Sequence, residues 1–170
     1  MPFTPFHVGV HACVALPLQR KLDVPTFILA NIIIDIEPLL VMLFNVHYPV
    51  HGYVHTFIGS FIVGSLWGGM AYALRQPLGR LMRFLRLPYS PSLKADILSG
   101  AAGGCLHVLC DAPIYTDIQP FYPLKINPLY GLVSAAMMYR LCILFFIPAA
   151  ILYVWFTRRY PGFDKEQRLF

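Results

Sequence analysis

Along this chain, long apolar stretches alternate with short polar ones. A hydrocarbon core about 30 Å thick takes about 20 apolar residues of helix. Five stretches reach or approach that length, at residues 3–18, 24–44, 54–74, 95–115 and 131–156. The pattern predicts an all-α, multi-pass transmembrane helical bundle of about five hydrophobic helices, the first short enough for a half-span. The third stretch carries no charge and contains Gly59, Ser60, Gly64, Ser65, Gly68 and Gly69. Residues that small let neighbouring helix backbones approach closely, and the glycines at 100, 103 and 104 in the fourth stretch read the same way.

Composition sharpens the class. The chain is 58% hydrophobic and 12% charged over 170 residues, with mean hydropathy +0.62. Soluble domains carry about 25% charged residues, so a water-soluble globule is excluded. The length suits one unit: a transmembrane domain over residues 1–157 and a short basic tail over 158–170. Net charge is +5. Placing successive connections on alternate sides gathers Arg20, Lys21, Arg75, Arg80, Arg83, Arg86, Lys94, Arg158, Arg159, Lys165 and Arg168 on one face, 11 of the 13 basic residues. That face is cytoplasmic by the positive-inside rule, which predicts an integral plasma-membrane protein with its N-terminus outside and its C-terminus inside. The 75–94 connection, with Leu81, Met82, Phe84, Leu85 and Leu87 among its arginines, reads as an amphipathic helix on anionic lipid. Topology thus accounts for the charge, and no nucleic-acid partner is expected. Cys13, Cys105, Cys110 and Cys142 all lie in apolar runs without C-x-x-C spacing and read as small core residues. Because Arg20 and Lys21 follow the first apolar stretch, it does not read as a cleaved leader.

Against that background the ionisable residues inside the stretches stand out, since each is costly in a bilayer. They are His7, His11, Asp35, Glu37, His55, His107, Asp111 and Arg140, with His47 and His51 in the adjoining 45–53 segment. His7 and His11, His51 and His55, and His107 and Asp111 are each four apart, the spacing of one helix face. Imidazole with carboxylate is a ligand set for zinc or manganese, and a cation makes buried carboxylates tolerable. At 1.5 Å per residue, Asp35 and His107 lie about 17 and 18 Å from the cytoplasmic side, whereas His55 lies at the outer surface. A shared site therefore requires the second helix to unwind at Pro38, which disfavours helix at Glu37, or the third helix to sink inward. Arg140, about 13 Å deep, is expected to clamp a phosphate or to pair with Asp35, Asp111 or Asp117. His11 is a weaker candidate ligand, His47 a solvated one, and Tyr115, Tyr122, Tyr130 and Tyr139 read as interfacial anchors.

The order Thr4-Pro5-Phe6-His7, Asp35-Ile36-Glu37-Pro38, His51-Gly52-Tyr53-Val54-His55-Thr56 and His107-Val108-Leu109-Cys110-Asp111 resembles the YdjM-like family of membrane-bound metal-dependent hydrolases. The likeness runs from His7 to about Pro123. Two departures are visible: the family's third element usually reads H-R-G-x-T-H-S, with an arginine this chain lacks and its histidines one residue further apart, and Glu37 stands where a second Asp is usual. The family is distantly similar to zinc-dependent phospholipase C and related phosphoesterases. The resemblance implies phosphoester hydrolysis, with His7, Asp35, Glu37, His51, His55, His107 and Asp111 as metal ligands.

The expectation is thus a membrane-bound metal-dependent hydrolase with its metal site in the outer half of the bundle, acting on a lipid or lipid-linked phosphate. Metal-activated water would attack, with Glu37 or Asp35 taking the proton and Arg140 holding the phosphate. Two other readings use the same residues: a proton- or ion-coupled transporter, and a non-enzymatic scaffold in which polar groups only specify helix pairing.

Overall fold

A computed structural model describes residues 6–159. The first five residues and positions 160–170 lie outside it, and with them Thr4, Pro5, Lys165, Arg168 and most of the expected tail.

Eight α-helices follow one another, with no strand among the described residues: α1 (His7–Ala15), α2 (Val24–Ile34), α3 (Ile36–Leu43), α4 (Phe57–Ala73), α5 (Arg75–Phe84), α6 (Leu93–Asp111), α7 (Ala135–Leu144) and α8 (Phe146–Arg159). A 3-10 turn, Tyr53–His55, precedes α4. Where α2, α4, α6 and α7 begin, the side chains of Asp23, Thr56, Ser92 and Ser134 accept the N–H three residues on, which satisfies a helix-start donor that otherwise has no partner.

Three of the junctions share one cause. Pro38, Pro77 and Pro148 each stand third in their helix, and each preceding helix ends four residues earlier, at Ile34, Ala73 and Leu144. Proline has no N–H for the carbonyl four residues back, and its ring crowds that carbonyl. The chain bends there and restarts, with the proline in a first turn that needs no donor from it. The expected unwinding by Pro38 therefore falls at Asp35, and Glu37 is helical in the first turn of α3.

Against the five spans expected, three helical stretches among the described residues are long and apolar enough to cross a membrane, Val24–Leu43, Leu93–Asp111 and Ala135–Arg159, and a fourth counts only if α4 and α5, bent by 81°, are taken together. The nine residues of α1 extend only about 14 Å, in keeping with a half-span. The basic 75–94 segment forms α5, with Leu78 and Met82 buried and Arg75, Arg80, Arg83 and Phe84 exposed. Leu66 and Ile151 are 70% and 64% exposed, and apolar faces of that kind along every long helix suit lipid rather than water.

Small residues set the closest contact. A side chain at Gly64 would overlap the Gly100 carbonyl, and one at Gly103 the Phe27 carbonyl. The α4, α6 and α2 backbones therefore lie against one another, as the glycine pattern predicted. At the basic end the bundle is closed by Ala15, Leu16, Val24, Phe27, Met82 and Leu87. Its other end carries the histidines.

Candidate metal centre

Three elements deliver four side chains to one point. Asp35 occupies the break between α2 and α3, His55 closes the 3-10 turn before α4, and His107 and Asp111 lie one turn apart at the end of α6. One ligand atom from each of these four residues lies within 4.8 Å of the others. His107 Nε2 is 3.2 Å from Asp35 Oδ1 and 3.3 Å from Asp111 Oδ2, and His55 Nε2 is 3.8 Å from Asp35 Oδ1. Ligands held about 2.0–2.2 Å from a tetrahedral zinc sit roughly 3.4 Å from one another. These separations lie close to the edges of such a polyhedron.

Polar satisfaction points the same way. His55 Nε2, His107 Nε2 and Asp111 Oδ1 are buried with no hydrogen-bond partner, though buried polar atoms nearly always have one. Their other ring nitrogens are engaged. His107 Nδ1–H donates to Asn31 Oδ1 at 2.6 Å, and His55 Nδ1–H donates to Glu37 Oε2 at 2.8 Å. With the proton fixed on Nδ1, each Nε2 lone pair faces the common point, the arrangement by which outer partners orient metal-binding imidazoles. Two carboxylates opposite two neutral imidazoles leave a charge that one divalent cation would cancel. The donor set and its unsatisfied atoms fit a metal ion.

The surroundings explain how His55 reaches this depth. Glu37 accepts from Gly52 N–H and Val54 N–H, both at 3.1 Å, and from the Tyr48 hydroxyl at 3.3 Å. Glu37 thereby pins the segment after α3 back against the bundle, and His55 is fully buried before α4 begins. Neither a sunken α4 nor a surface His55 is needed. The break at Asp35 also resolves how two acids two apart serve one place: Asp35 faces the cluster, and Glu37 faces the far side of His55.

The remaining expected residues fall differently. His7 Nε2 lies 3.4 Å from Asp111 Oδ1, beside the four. Glu37 is outside the group, its carboxylate occupied by four donors. His51 is also outside, its backbone and Nδ1 both bonded to Asp117 at 3.1 and 3.0 Å and its ring 4.8 Å from that of His55. Burial holds the His51 imidazole below its ordinary value, despite the Asp117 carboxylate. The His51–His55 spacing is not that of a helix face, because the chain turns between them. His11 sits one turn from His7 with its ring between the carbonyls of His7 and Gly103, at 2.9 and 3.1 Å. His47 is exposed. Tyr115, expected at the interface, packs its ring 4.2 Å from His51.

Arg140 requires correction. It is the sixth residue of α7 and exposed, so it lies only about 9 Å along the helix and can extend its guanidinium to the membrane surface. Instead of the expected pair with Arg140, Asp35 meets His55 and His107, Asp111 meets His7 and His107, and Asp117 meets His51 among the described residues.

Asn31, Tyr48 and Asp117 were not singled out from the sequence. Asn31 carried a usable signal, being the lone amide in the apolar run of α2, four residues before Asp35. Tyr48 and Asp117 lie in connections where no periodicity predicts a partner. No family model, curated protein or solved structure matches this chain.

Proposed function

We propose that the chain is a membrane-bound metal-dependent hydrolase acting on a phosphoester carried by a lipid or lipid-linked headgroup, with Asp35, His55, His107 and Asp111 as the ligands and His7 beside them. The observation that carries this reading is the convergence of unsatisfied ring nitrogens and a carboxylate oxygen from separate elements on one point. Zinc or manganese suits two imidazoles with two carboxylates. When bound, the ion would supply a Lewis acid and an acidified water.

The chain's own groups divide the remaining work. Asp35, the most open of the four at 17% side-chain exposure, is the carboxylate placed to take a proton. Glu37, with four donors already on it, holds His55 and the returning loop. His51 and Asp117 form a hydrogen-bonded dyad beside His55, placed to pass a proton to a leaving group. Arg140 takes no part. In this reading the basic end is cytoplasmic by the positive-inside rule and the histidine end lies outside, where a headgroup would arrive along the membrane.

The transporter reading uses the same His, Asp and Glu residues without a tightly held metal, and the metal analysis below separates the two.

Metal analysis of purified wild type beside His55→Ala and Asp111→Ala tests the proposal. Stoichiometric metal in wild type and loss in both variants supports it, and the wild type should then release phosphate or headgroup from phospholipid or polyprenyl phosphate. Equal metal in all three removes it.

A further inference from the structure

Asp23 and Asp96 form a second buried acidic pair, remote from the histidines. Asp23, which caps α2, is 5% exposed, and Asp96, near the start of α6, is 0% exposed. The Asp23 N–H donates to Ser99 Oγ at 2.7 Å, laying the start of α2 against the turn of α6 that carries Asp96. Asp23 Oδ1 accepts the Thr26 N–H at 3.0 Å. Both carboxylate oxygens of Asp96 lack a hydrogen-bond partner, and so does the buried Thr26 hydroxyl oxygen.

The helix starts do not relieve Asp96. The Ala95 N–H goes to Ser92 Oγ and the Asp96 N–H to the Ser92 carbonyl. Ser99 lies three residues after Asp96 on one face of α6, so its bond to Asp23 sets the two acids beside the same turn, and burial, then the charges of Asp23 and Asp96, push the Tyr89 phenol up. Two carboxylates in one dry place cannot both stay charged without a positive partner. The fold offers cations nearby yet uses none. Arg20 and Lys21 line a cavity of about 530 Å³ that also touches Asp23, Ser90, Ser92 and Ala95, but both are exposed, and the buried Asp96 oxygens are left without a partner.

We propose that Asp23 and Asp96 form a second cation site, built from oxygen donors and reached through this cavity, that takes a hard cation such as Mg²⁺, Ca²⁺ or Na⁺. The Asp96 carboxylate, the free oxygen of Asp23 and the Thr26 and Tyr89 hydroxyls supply oxygen alone, the donor type of hard cations, whereas the histidine cluster suits zinc. The two sites lie at opposite ends of α2 and α6, so occupation of one does not depend on the other.

The experiment uses the full chain in detergent, stripped with chelator, with its unfolding midpoint followed during titration with MgCl₂, CaCl₂ or NaCl against choline chloride at equal ionic strength. Wild type should show a saturable rise with one of these salts, and Asp96→Asn should lose it while keeping the wild-type content of transition metal. Asp23→Asn, whose amide still caps α2, should need at least tenfold more of the same salt, and it serves as the second variant if Asp96→Asn does not fold. A wild type insensitive to all three salts, with Asp96→Asn equally or more stable, would mean that a shared proton occupies the pair and would overturn the proposal. A rise that persists in both variants would place the cation elsewhere and overturn it as well.

Discussion

Glu37 Oε2 lies 2.8 Å from Nδ1 of His55, on the side of the ring away from Asp35. This contact fixes the tautomer of His55, and the same carboxylate holds the loop that brings His55 inside. Glu37→Gln keeps the shape but turns an amide N–H₂ toward donors, so metal affinity should fall about 10- to 100-fold. Asn31→Leu, which removes the acceptor for His107 Nδ1–H, should cost a similar factor. Competition against a chelator of known affinity measures both, and unchanged affinity in either would show that these contacts do not orient the imidazoles.

Pro38→Ala restores an N–H for the Ile34 carbonyl and permits one continuous helix through Asp35. Asp35 and Glu37 would then point apart. The expected result is loss of bound metal with thermal stability kept or raised, read by metal stoichiometry beside the unfolding midpoint. Retained metal would show that tertiary contacts, rather than the proline, hold the break.

The backbone contact between α4 and α6 has no room for a side chain. Gly64→Leu must push the Gly100 carbonyl away and should destabilise by about 3 kcal/mol or more, at the upper end of overpacking costs. Gly69, with nothing within 4 Å of an added Cβ, is the control. Gly69→Ala should be neutral or slightly stabilising, since alanine favours helix by about 1 kcal/mol. Unfolding in detergent compares the two.

Burial lowers the His51 pKa from its ordinary 6.5, so near that pH the unfolded chain binds more protons than the native one. Stability contributed by this residue is therefore present above about pH 6.5, declines as pH falls through the unfolded value, and levels off below the folded one. The difference in unfolding midpoint between metal-free wild type and His51→Gln should shrink as pH drops from 7.5 to about 5. A difference independent of pH would mean that His51 titrates alike in both states.

Much of the architecture was legible because a bilayer makes few demands and makes them locally. The apolar lengths of α2–α3 and α6, the small-residue contact of α4 with α6, and the amphipathic character of α5 all follow from residues near one another in sequence. Counting spans was less secure. A stretch of suitable composition at 3–18 forms a nine-residue helix, and the 54–74 stretch turns sharply at Leu74 because Pro77 removes a donor.

Within the cluster, residue types and the four-residue spacing of His107 and Asp111 marked candidate ligands in advance, because charge in an apolar run has few bland explanations. Which residues meet was a different matter. His7 and His11 share a helix face, yet one turn of α1 puts His7 beside Asp111 and leaves His11 between two carbonyls. Glu37 and Asp35 are near neighbours in the chain, yet a single broken turn gives one to the cluster and the other to the back of His55. The amino-acid order alone decided that imidazoles and carboxylates would be carried into an apolar bundle, since side-chain type and helical period are local properties. Their common focus, and the burial of Asp23 with Asp96 at the other end, depend on where distant helices cross, and only the packing of glycine against backbone decides that.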